Sequence, residues 1–376
     1  MSVRLYNINP DRNTPWNDLP PLPINSELYF NTDVLEALVH AKSALSLLQG
    51  RSIAIPDQAV LINSISIQEA RDSSAIENIF TTDDELYRAF SEDNPDAIRG
   101  PEKEVLRYRE ALWRGYDLLN KKSQFDLEYL IGIFQEIKQT RDGIRPPFLP
   151  TVILQGGSGP NSGQVIYTPP RGKGIIEEKL RNLLEFINRD DDFQIDPLIK
   201  LAIGHFQFEA IHPFRDGNGR AGRIFNIHIL TKKGLLEYPI LYLSKYIIDN
   251  KNDYYRLLQN VSQKGEWKEW IIFMLEAIQV TSKLTYTKIN QIIDIKNIIL
   301  DELIKNKEIR RPERLVESIF IQPYTRVKHL TENKIYSENT ARSYLNKLTE
   351  MGILEKKTIH GHHYYLNLEL MRILSG

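Results

Sequence analysis

Several features that would narrow the class of protein are missing from this chain. Its 376 residues include no cysteine, which excludes disulfide bonds and thiolate metal sites. The 48 lysines and arginines nearly balance the 49 aspartates and glutamates, so the net charge of −1 gives no overall field that would attract nucleic acid or a membrane surface. No apolar run has the length of a membrane span and no segment resembles a signal peptide, so a cytoplasmic protein is the default expectation.

The chain does contain enough apolar residues, 41%, to build a sizeable core, and its length suggests two or three domains.

One short stretch, His212 to Arg223, reads His-Pro-Phe-Arg-Asp-Gly-Asn-Gly-Arg-Ala-Gly-Arg. Apolar residues at helical spacing flank it on both sides: the upstream run opens at Asp196-Pro197 and the downstream run ends near Gly234. The stretch is therefore predicted to be a loop that leaves one buried helix and opens the next.

This loop has the residue types of an anion site. Gly217 and Gly219 lack a Cβ, so their N–H groups can approach a ligand closely. At the start of the next helix, near Arg220, these donors and the helix dipole favour negative charge. Arg220 and Arg223 lie three residues apart on one face of the first turn and add forked donors. The expected ligand is a polyphosphate.

Two further residues indicate chemistry in addition to binding. Asp216 would repel bound phosphates unless a cation lay between them, and Mg²⁺ prefers one or two carboxylates together with phosphate oxygens. His212, four residues earlier, would face the same phosphates as a candidate general base. The combination predicts attack by a hydroxyl on a Mg²⁺-bound nucleotide.

Other interpretations fit the same residues less well. Asp-Gly-Asn-Gly is a common turn sequence. An EF-hand loop that started at Asp216 would need Asp or Asn in place of Arg220 and glycine in place of Ala221. The chain has no Gly-x-x-x-x-Gly-Lys-Ser/Thr, which excludes a Walker-type phosphate loop.

The pattern His-Pro-Phe-x-Asp-Gly-Asn-Gly-Arg-x-x-Arg resembles the signature of the Fic family, and residues 212–223 match every defined position. The resemblance covers roughly residues 70–285 and implies a mostly helical core that transfers AMP from ATP to a Ser, Thr or Tyr hydroxyl of a protein. By position, it implies that His212 deprotonates the target hydroxyl, Phe214 anchors the loop and Asp216 holds Mg²⁺. The residues that it implies for the phosphates are Gly217, Asn218, Gly219, Arg220 and Arg223, with Arg223 at the γ-phosphate.

A second motif lies at the end of a helix predicted from Pro56 to Glu77. Ser73 and Glu77 are four residues apart on one face, and Asn78 suits a left-handed C-cap. Taken alone, the pattern also fits a solvated glutamate at a helix end. Ser73-Ser-Ala-Ile-Glu77-Asn78 resembles the inhibitory motif of Fic proteins, which implies that Glu77 engages Arg223 and keeps it from the γ-phosphate.

Two more segments are candidates for substrate contacts. The β-branched runs 151–155 and 164–168 flank a Gly-rich connection and predict a hairpin, whose exposed edge can pair with an extended peptide. The family resemblance makes this hairpin the flap that clamps the target, with Gln164, Val165, Ile166 and Tyr167 near the nucleotide. The same resemblance places Tyr254 and Tyr255 at the adenosine, on a helix predicted from Asp253 through Leu275.

Beyond about Asn290 the pattern changes to short helices (312–320, 324–331 and one capped by Ser337) and two strands, an order that resembles a winged helix-turn-helix. From Arg310 to Gly376, 11 Lys and Arg minus 7 Asp and Glu leave +4. With Arg326, Lys328, Arg342 and Lys347 on the candidate reading helices, this charge permits DNA binding, but a module for protein contacts or dimerisation fits at least as well. Histidines 360, 362 and 363 lack carboxylate or cysteine neighbours and are interpreted as polar wing residues.

We therefore expect a mainly α protein with three parts. These are a proline-rich arm and helical segment with the inhibitory helix (1–95), a Fic-type helical core with a β-hairpin flap (96–285), and a winged helix-turn-helix domain (290–376). The expected activity is that of a protein adenylyltransferase that uses ATP and Mg²⁺, is inhibited by Glu77 and binds its target along the flap. The alternatives are a DNA-binding regulator whose Fic core only senses nucleotide, and a Fic enzyme that removes AMP or transfers UMP or another phosphate-linked group. Self-modification, homodimer formation and DNA binding are left open, and no membrane partner is expected.

Overall fold

The computed structural model describes residues 13–53, 58–92, 98–122, 124–154, 162–189, 195–306, 308–332, 335–359 and 361–376. In these ranges the fold is mainly helical, as predicted. The helices are α1 (Thr32–Ile53), α2 (Gln58–Ile76), α3 (Asp83–Phe90), α4 (Gly100–Lys121), α5 (Leu127–Lys138), α6 (Ile175–Asn188), α7 (Pro197–Ile211), α8 (Asn218–Lys232), α9 (Leu243–Asp249), α10 (Lys251–Lys264), α11 (Trp267–Lys305), α12 (Pro312–Phe320), α13 (Val327–Thr331), α14 (Glu338–Glu350) and α15 (Leu368–Ser375). The strands are β1 (Ile153–Leu154), β2 (Val165–Tyr167), β3 (Tyr324–Thr325), β4 (Glu355–Ile359) and β5 (His362–Leu366). None of these helices combines the length and the apolar character needed to cross a membrane.

The N-terminal arm, described from residue 13, lies against the body of the protein. The backbone N–H of Trp16 donates to the carbonyl of Thr168 at 3.0 Å, just after β2. The backbone of Leu22 exchanges two hydrogen bonds with the side chain of Asn182 on α6. The arm thereby buries the apolar side chains between its prolines, which are Trp16, Leu19, Leu22 and Ile24.

Helix α7 is apolar around most of its circumference, and nearly all of its side chains are buried, as expected for a helix in the centre of a bundle. It begins as predicted, because Asp196 caps the first turn and Pro197 occupies the first position. The following loop is held by Phe214, whose ring stacks on Phe134 of α5 at 4.2 Å. The side-chain amide of Asn218 also bonds the N–H and the carbonyl of Phe214, at 2.8 and 2.9 Å. Buried contacts thus fix the shape of the loop between α7 and α8.

The predicted hairpin is present as β1 and β2. The two strands pair antiparallel, with Ile153 opposite Tyr167 and Leu154 opposite Val165. The pairing is shorter than the β-branched runs suggest, and its register shifts between Ile153 and Leu154. Residues 155–161 of the Gly-rich connection lie outside the described residues.

The single helix predicted from Asp253 through Leu275 is wrong. Helix α10 ends at Lys264, Gly265 takes a left-handed φ of 70°, and α11 begins at Trp267. Glycine tolerates this conformation because it has no Cβ, and it therefore ends the first helix. Helix α11 then runs through residues 286–289, where the catalytic and C-terminal parts were predicted to separate. That boundary remains a prediction, and it falls inside a continuous helix.

The C-terminal part has helices α12, α13 and α14 followed by β4 and β5, in the predicted order. Two details differ: the helix predicted for 324–331 starts as strand β3, and α15 follows β5 without a sequence prediction. The three strands form an antiparallel sheet in the order β3-β5-β4. The winged-helix assignment stays a prediction, and of its wing-tip histidines His360 lies outside the described residues while His362 and His363 are exposed.

This C-terminal part packs on elements that lie before and after the loop between α7 and α8. The hydroxyl of Tyr324 donates to Asp84 of α3 at 2.5 Å, and that of Tyr364 donates to Glu92 at 2.6 Å. On α11, the ammonium of Lys288 donates to two carbonyls near the end of α15, at 2.8 and 2.7 Å. The C-terminal part is therefore joined to both the N-terminal segment and the helical core.

Candidate active site

The loop between α7 and α8 presents backbone donors at the start of α8. His212 ends α7 with a left-handed φ of 49°, and Gly217 precedes α8 with a φ of 78°. A positive φ at Gly217 favours glycine, because a Cβ there would crowd the backbone. The N-cap residue Gly217 makes no side-chain cap on the first turn of α8, so the N–H groups there and the helix dipole are suited to an anion, and the anion site itself stays a prediction.

His212 is half-buried, and the backbone carbonyl of Glu209 lies near its imidazole, which favours a ring orientation that directs an N–H group at this carbonyl. The Nε of Arg145 donates to the carbonyl of His212 at 2.8 Å and fixes the backbone at this point. Burial and the charge of Arg145 lower the pKa of His212 to about 4. The ring is therefore neutral near pH 7, which is the form that a general base requires.

Arg223 is only 1% exposed and points to the end of α2. Its Nε donates to the Ser73 hydroxyl at 2.8 Å, and its Nη2 donates to the Ser73 carbonyl and to Glu77 Oε1, both at 2.8 Å. Burial alone would lower the pKa of Arg223, but the neighbouring acidic groups, with Glu77 first among them, and the hydrogen bond to Glu77 together outweigh it, and the pKa is raised. Asn78 has the predicted left-handed conformation, with a φ of 62°. The structure thus brings together Arg223, Ser73 and Glu77, the three residues that the second sequence motif links.

Glu77 also lies directly over the start of α8. A Cβ added at Gly219 would overlap the Glu77 carboxylate, so glycine is needed for this close approach. The carboxylate therefore occupies space next to the helix N-terminus, where a phosphate would be attracted. Glu77 itself remains 34% exposed.

Arg220, which was predicted to grip phosphates, is turned away from the anion site. Its side chain is 3% exposed and its Nη1 forms an ion pair with Glu104 of α4 at 2.8 Å. The backbone N–H of Arg220 still belongs to the first turn of α8. In this conformation Arg220 ties α8 to α4 and contributes to the anion site through its backbone alone.

Asp216, the predicted metal ligand, is 69% exposed. One of its oxygens accepts from the N–H of Gly217 at 2.6 Å, and the other pairs with Lys138 of α5 at 2.6 Å. Partial burial would raise the pKa of Asp216, but the hydrogen bond and charge of Lys138 outweigh it and the pKa is lowered. The group is an accessible carboxylate at neutral pH.

These residues fit Mg²⁺ that is bound mainly through a nucleotide. Within the described ranges, no cluster of three or more His, Asp or Glu side chains could hold a metal ion without other ligands. Mg²⁺ takes one or two carboxylates and completes its shell with water and phosphate oxygens, so one exposed carboxylate beside an anion site is sufficient.

The adjacent tyrosines of α10 differ in their surroundings. Tyr254 is buried, and its hydroxyl lies 2.9 Å from Nε2 of His205 on α7. Tyr255 is 43% exposed and packs edge-on against Tyr254 at 5.2 Å. Tyr255 is therefore the member of the pair that is accessible to a ligand, and the predicted role of both at the adenosine stays a prediction.

The flap is anchored beside the loop through β2. Of the four residues predicted there, Gln164 precedes the strand and Val165, Ile166 and Tyr167 form it. The hydroxyl of Tyr167 donates to the carbonyl of Ala210, two residues before His212, at 2.7 Å. The hairpin is thus held close to the candidate base.

Three family models match the chain. They are the Fic/DOC family N-terminal model over residues 35–117, the Fic/DOC family model over residues 124–230, and the C-terminal domain model of protein adenylyltransferase SoFic-like over residues 302–370. The chain belongs to the Fic family.

Relatives and solved structures agree with this assignment. A probable protein adenylyltransferase of Aquifex aeolicus is 29% identical over 167 residues, which are 43% of this chain and 47% of the relative. The protein adenylyltransferase Fic of Aedes aegypti is 28% identical over 168 residues, 44% of this chain and 30% of the relative. The matches thus span less than half the length of these curated relatives.

Two crystal structures support the fold. A Fic family protein from Desulfovibrio desulfuricans has a TM-score of 0.53 at 19% identity, with 92% of this chain and 98% of that chain covered. A Fic domain containing signaling protein from Bacteroides thetaiotaomicron has a TM-score of 0.51 at 15% identity, with 69% and 95% covered. The predicted Fic-type helical fold is confirmed.

Several residues around the Fic loop were not found by sequence analysis. They are Glu104, Lys138, Arg145 and Glu209. Each is an isolated charged residue of a type that is mostly solvent-exposed in proteins, so no local pattern distinguishes it from a surface residue. Only the packing of α4, α5 and α7 around the Fic loop brings these four residues to the site.

Proposed function

We propose that this Fic protein transfers AMP from ATP to a Ser, Thr or Tyr hydroxyl of a target protein. The observation that carries the proposal is the convergence of three groups on one loop. These are the neutral, oriented imidazole of His212, the uncapped N-terminus of α8, and the buried guanidinium of Arg223. Together they provide a base for a hydroxyl and a cradle for a polyphosphate, and the curated relatives carry the name protein adenylyltransferase.

The proposed reaction is an in-line displacement at the α-phosphorus. His212 removes the proton of the target hydroxyl, the hydroxyl oxygen bonds to the α-phosphorus, and the bond from that phosphorus to the bridging oxygen of the β-phosphate breaks. Pyrophosphate leaves with the electron pair of that bond, and AMP remains on the target. The N–H groups of α8 and the guanidinium of Arg223 stabilise the charge on the phosphates, since such catalysis relies on positioning and electrostatics.

Asp216 is the proposed ligand of Mg²⁺. When bound, the ion would neutralise phosphate charge and hold the leaving pyrophosphate. Lys138, which now pairs with Asp216, keeps that carboxylate at the edge of the loop. Tyr255, as the exposed tyrosine, is the proposed adenosine contact, and the β1–β2 hairpin is the proposed docking edge for the target.

We further propose that Glu77 inhibits this site through its contact with Arg223. Glu77 holds Arg223 and lies over Gly219, so a γ-phosphate would have to displace the carboxylate. ATP bound beside Glu77 would have its phosphates turned, and its α-phosphorus would not be in line with the hydroxyl. Displacement of the end of α2 would release Arg223.

The rival function, DNA binding by the C-terminal part, is weakened by the ion pairs of its basic residues. Arg326 lies 3.9 Å from Glu92, Arg342 pairs with Glu338 at 2.8 Å, and Lys347 pairs with Glu308. Carboxylates within a few ångströms reduce the positive potential that phosphates would meet.

The proposed activity can be tested with labelled nucleotide. The purified chain is incubated with Mg²⁺, cell lysate and ATP labelled at either the α- or the γ-phosphate, and modified proteins are identified by mass spectrometry. Relative to lysate without the chain, we expect additional α-label on protein as a 5′-AMP adduct, no additional γ-label, and no additional label of either kind with His212→Ala. Transfer of γ-label would show a kinase instead, while labelling from UTP but not from ATP, or loss of AMP from a modified protein, would favour the other Fic chemistries.

A further inference from the structure

A second carboxyl group lies beside Arg223, and no described residue donates a hydrogen bond to its buried oxygen. Oε1 of Glu209, on α7, is buried and has no hydrogen-bond partner in the part of the chain that the structure describes. This oxygen is 2.7 Å from the position that a Cβ on Gly222 would take, so it rests on α8 next to Arg223. A buried acceptor without a donor costs about 1–3 kcal/mol, so its presence calls for a physical explanation.

Other buried polar atoms on α7 and α8 also have no hydrogen-bond partner among the described residues. Nδ1 of His205 and both side-chain atoms of Asn226 are also buried without partners among the described residues. His205 lies one turn before Glu209 on α7, and Asn226 lies one turn after Gly222 on α8. Because positions four residues apart lie on one face of a helix, His205 and Glu209 share a face of α7, and Gly222 and Asn226 share a face of α8.

The Arg223 side chain is hydrogen-bonded to the end of α2 and to the residue that follows this helix. Its three described hydrogen bonds go to Ser73 on α2 and to Glu77 immediately after α2. If the end of α2 moves away, Arg223 loses all three at once. A buried guanidinium without an acceptor is strongly disfavoured, so another group has to take over.

Glu209 is placed to be that group. Burial and the charge of Glu77 raise its pKa, the charge of Arg223 lowers it, and the result is a pKa of about 7. The carboxyl groups of Glu77 and Glu209 are thus both within electrostatic reach of Arg223, and of the two only Glu77 is hydrogen-bonded to it. Glu209 is carried by α7, which also carries His212 at its end, and this helix does not need to move when α2 does.

We propose that Glu209 is a positioning residue that accepts the guanidinium of Arg223 when Glu77 releases it, and so keeps Arg223 directed at the nucleotide phosphates. This role rests on the proposed function, in which Arg223 binds the γ-phosphate once inhibition is relieved. Glu209 acts through Arg223 and does not itself bind the nucleotide.

The test is a double-mutant cycle between residues 77 and 209. ATP affinity is measured by calorimetry with Mg²⁺ for the full-length wild type, Glu77→Gly, Glu209→Gln and the double variant, and KM and kcat for AMP incorporation are measured where transfer is detectable. Glu185→Gln makes the same change at an exposed position of α6 as a matched control, and melting temperatures check folding. Glu209→Asp, which keeps the charge, serves as the conservative variant and replaces Glu209→Gln if the latter does not fold.

In the Glu77→Gly background we expect Glu209→Gln to weaken ATP binding about tenfold, the scale of one charge-assisted hydrogen bond. We expect a change of about twofold or less when Glu77 is present, because that carboxylate still holds Arg223. Glu209→Asp should restore part of the lost affinity, and KM for ATP should change more than kcat. Equal effects of Glu209→Gln in both backgrounds would overturn the proposal, since the residue would then act independently of Glu77.

The outcome also separates this inference from the proposed function. If Glu77→Gly fails to raise AMP transfer, the proposed inhibition by Glu77 is wrong. Coupling between residues 77 and 209 in ATP affinity would still support the claim that both carboxyl groups act on the guanidinium of Arg223. If Glu77→Gly raises transfer and the two residues are uncoupled, inhibition stands and the role of Glu209 falls.

Discussion

Replacement of Glu77 by glycine removes the carboxylate that holds Arg223, and its effect on rate follows from the geometry. Glu77 Oε1 accepts from Nη2 of Arg223 at 2.8 Å, and the guanidinium is almost completely buried. A hydrogen bond between charged groups contributes about 1.5–3 kcal/mol. Because Glu77 is 34% exposed, solvent screens the pair and the lower end of that range applies.

If this contact must break before Arg223 can bind the γ-phosphate, about 1.5 kcal/mol is added to the barrier, which is about a tenfold loss in rate. If ATP does bind while Glu77 still holds Arg223, the resulting misplacement of the α-phosphorus can instead cost up to about a hundredfold in rate. Glu77→Gly should therefore raise AMP transfer by between about ten- and a hundredfold. The free energy of unfolding should fall by about 1.5 kcal/mol, the contribution of that hydrogen bond. A larger loss is not expected, because Arg223 keeps its two hydrogen bonds to Ser73.

The assay compares initial rates of AMP incorporation from α-labelled ATP, into the chain itself and into lysate proteins, at equal Mg²⁺ and ATP. Glu77→Gln keeps the size of the side chain and removes its charge. A rate between those of wild type and Glu77→Gly would show that both the charge and the volume of the Glu77 side chain contribute to inhibition. Equal rates for wild type and Glu77→Gly, with both chains folded, would refute the inhibitory role and leave Glu77 as a solvated helix-end residue.

Further outcomes are expected for four substitutions and two truncations. Ser73→Ala should raise transfer more weakly than Glu77→Gly in the same assay, because it removes only one hydrogen bond to Arg223. Asp216→Ala should weaken nucleotide binding in the presence of Mg²⁺ more than in its absence, as titration calorimetry would show, while His212→Ala should abolish transfer and leave ATP binding nearly intact. Burial lowers the pKa of His228 from 6.5 to about 4, so its contribution to stability is complete above pH 6.5 and is lost as the pH falls towards 4. That loss amounts to about 3 kcal/mol, and His228→Gln should flatten this part of the melting-temperature profile. Truncation after residue 306 should leave a folded core that binds ATP, whereas truncation after residue 289 should lower the melting temperature because it cuts α11 where that helix packs on α1.

The amino-acid sequence by itself determined the local structure of the site. The start of α7 at Asp196-Pro197, the left-handed Asn78 and the turn at Gly217 were all predictable. Each depends on the conformational preference of one residue and on hydrogen bonds to its near neighbours in the chain. The residue types of the Fic loop likewise predicted a phosphate site, because glycines and arginines that lie close together in the sequence are also close together in the folded loop. The break at Gly265 was missed, because the apolar spacing continues across it.

The tertiary structure alone decided which groups pair with the residues of the Fic loop. Arg220 meets Glu104 across 116 residues of sequence, and Asp216 meets Lys138 across 78. The position of Glu209 against Gly222 likewise depends on how α7 packs against α8. The spacing of residues along the sequence does not reveal such pairings. A charged residue on a helix has the same local sequence pattern whether it faces water or a neighbouring helix. Only the packing of the helices sets the distance between two side chains, and that distance determines whether a carboxylate is solvated or holds the guanidinium of a phosphate site.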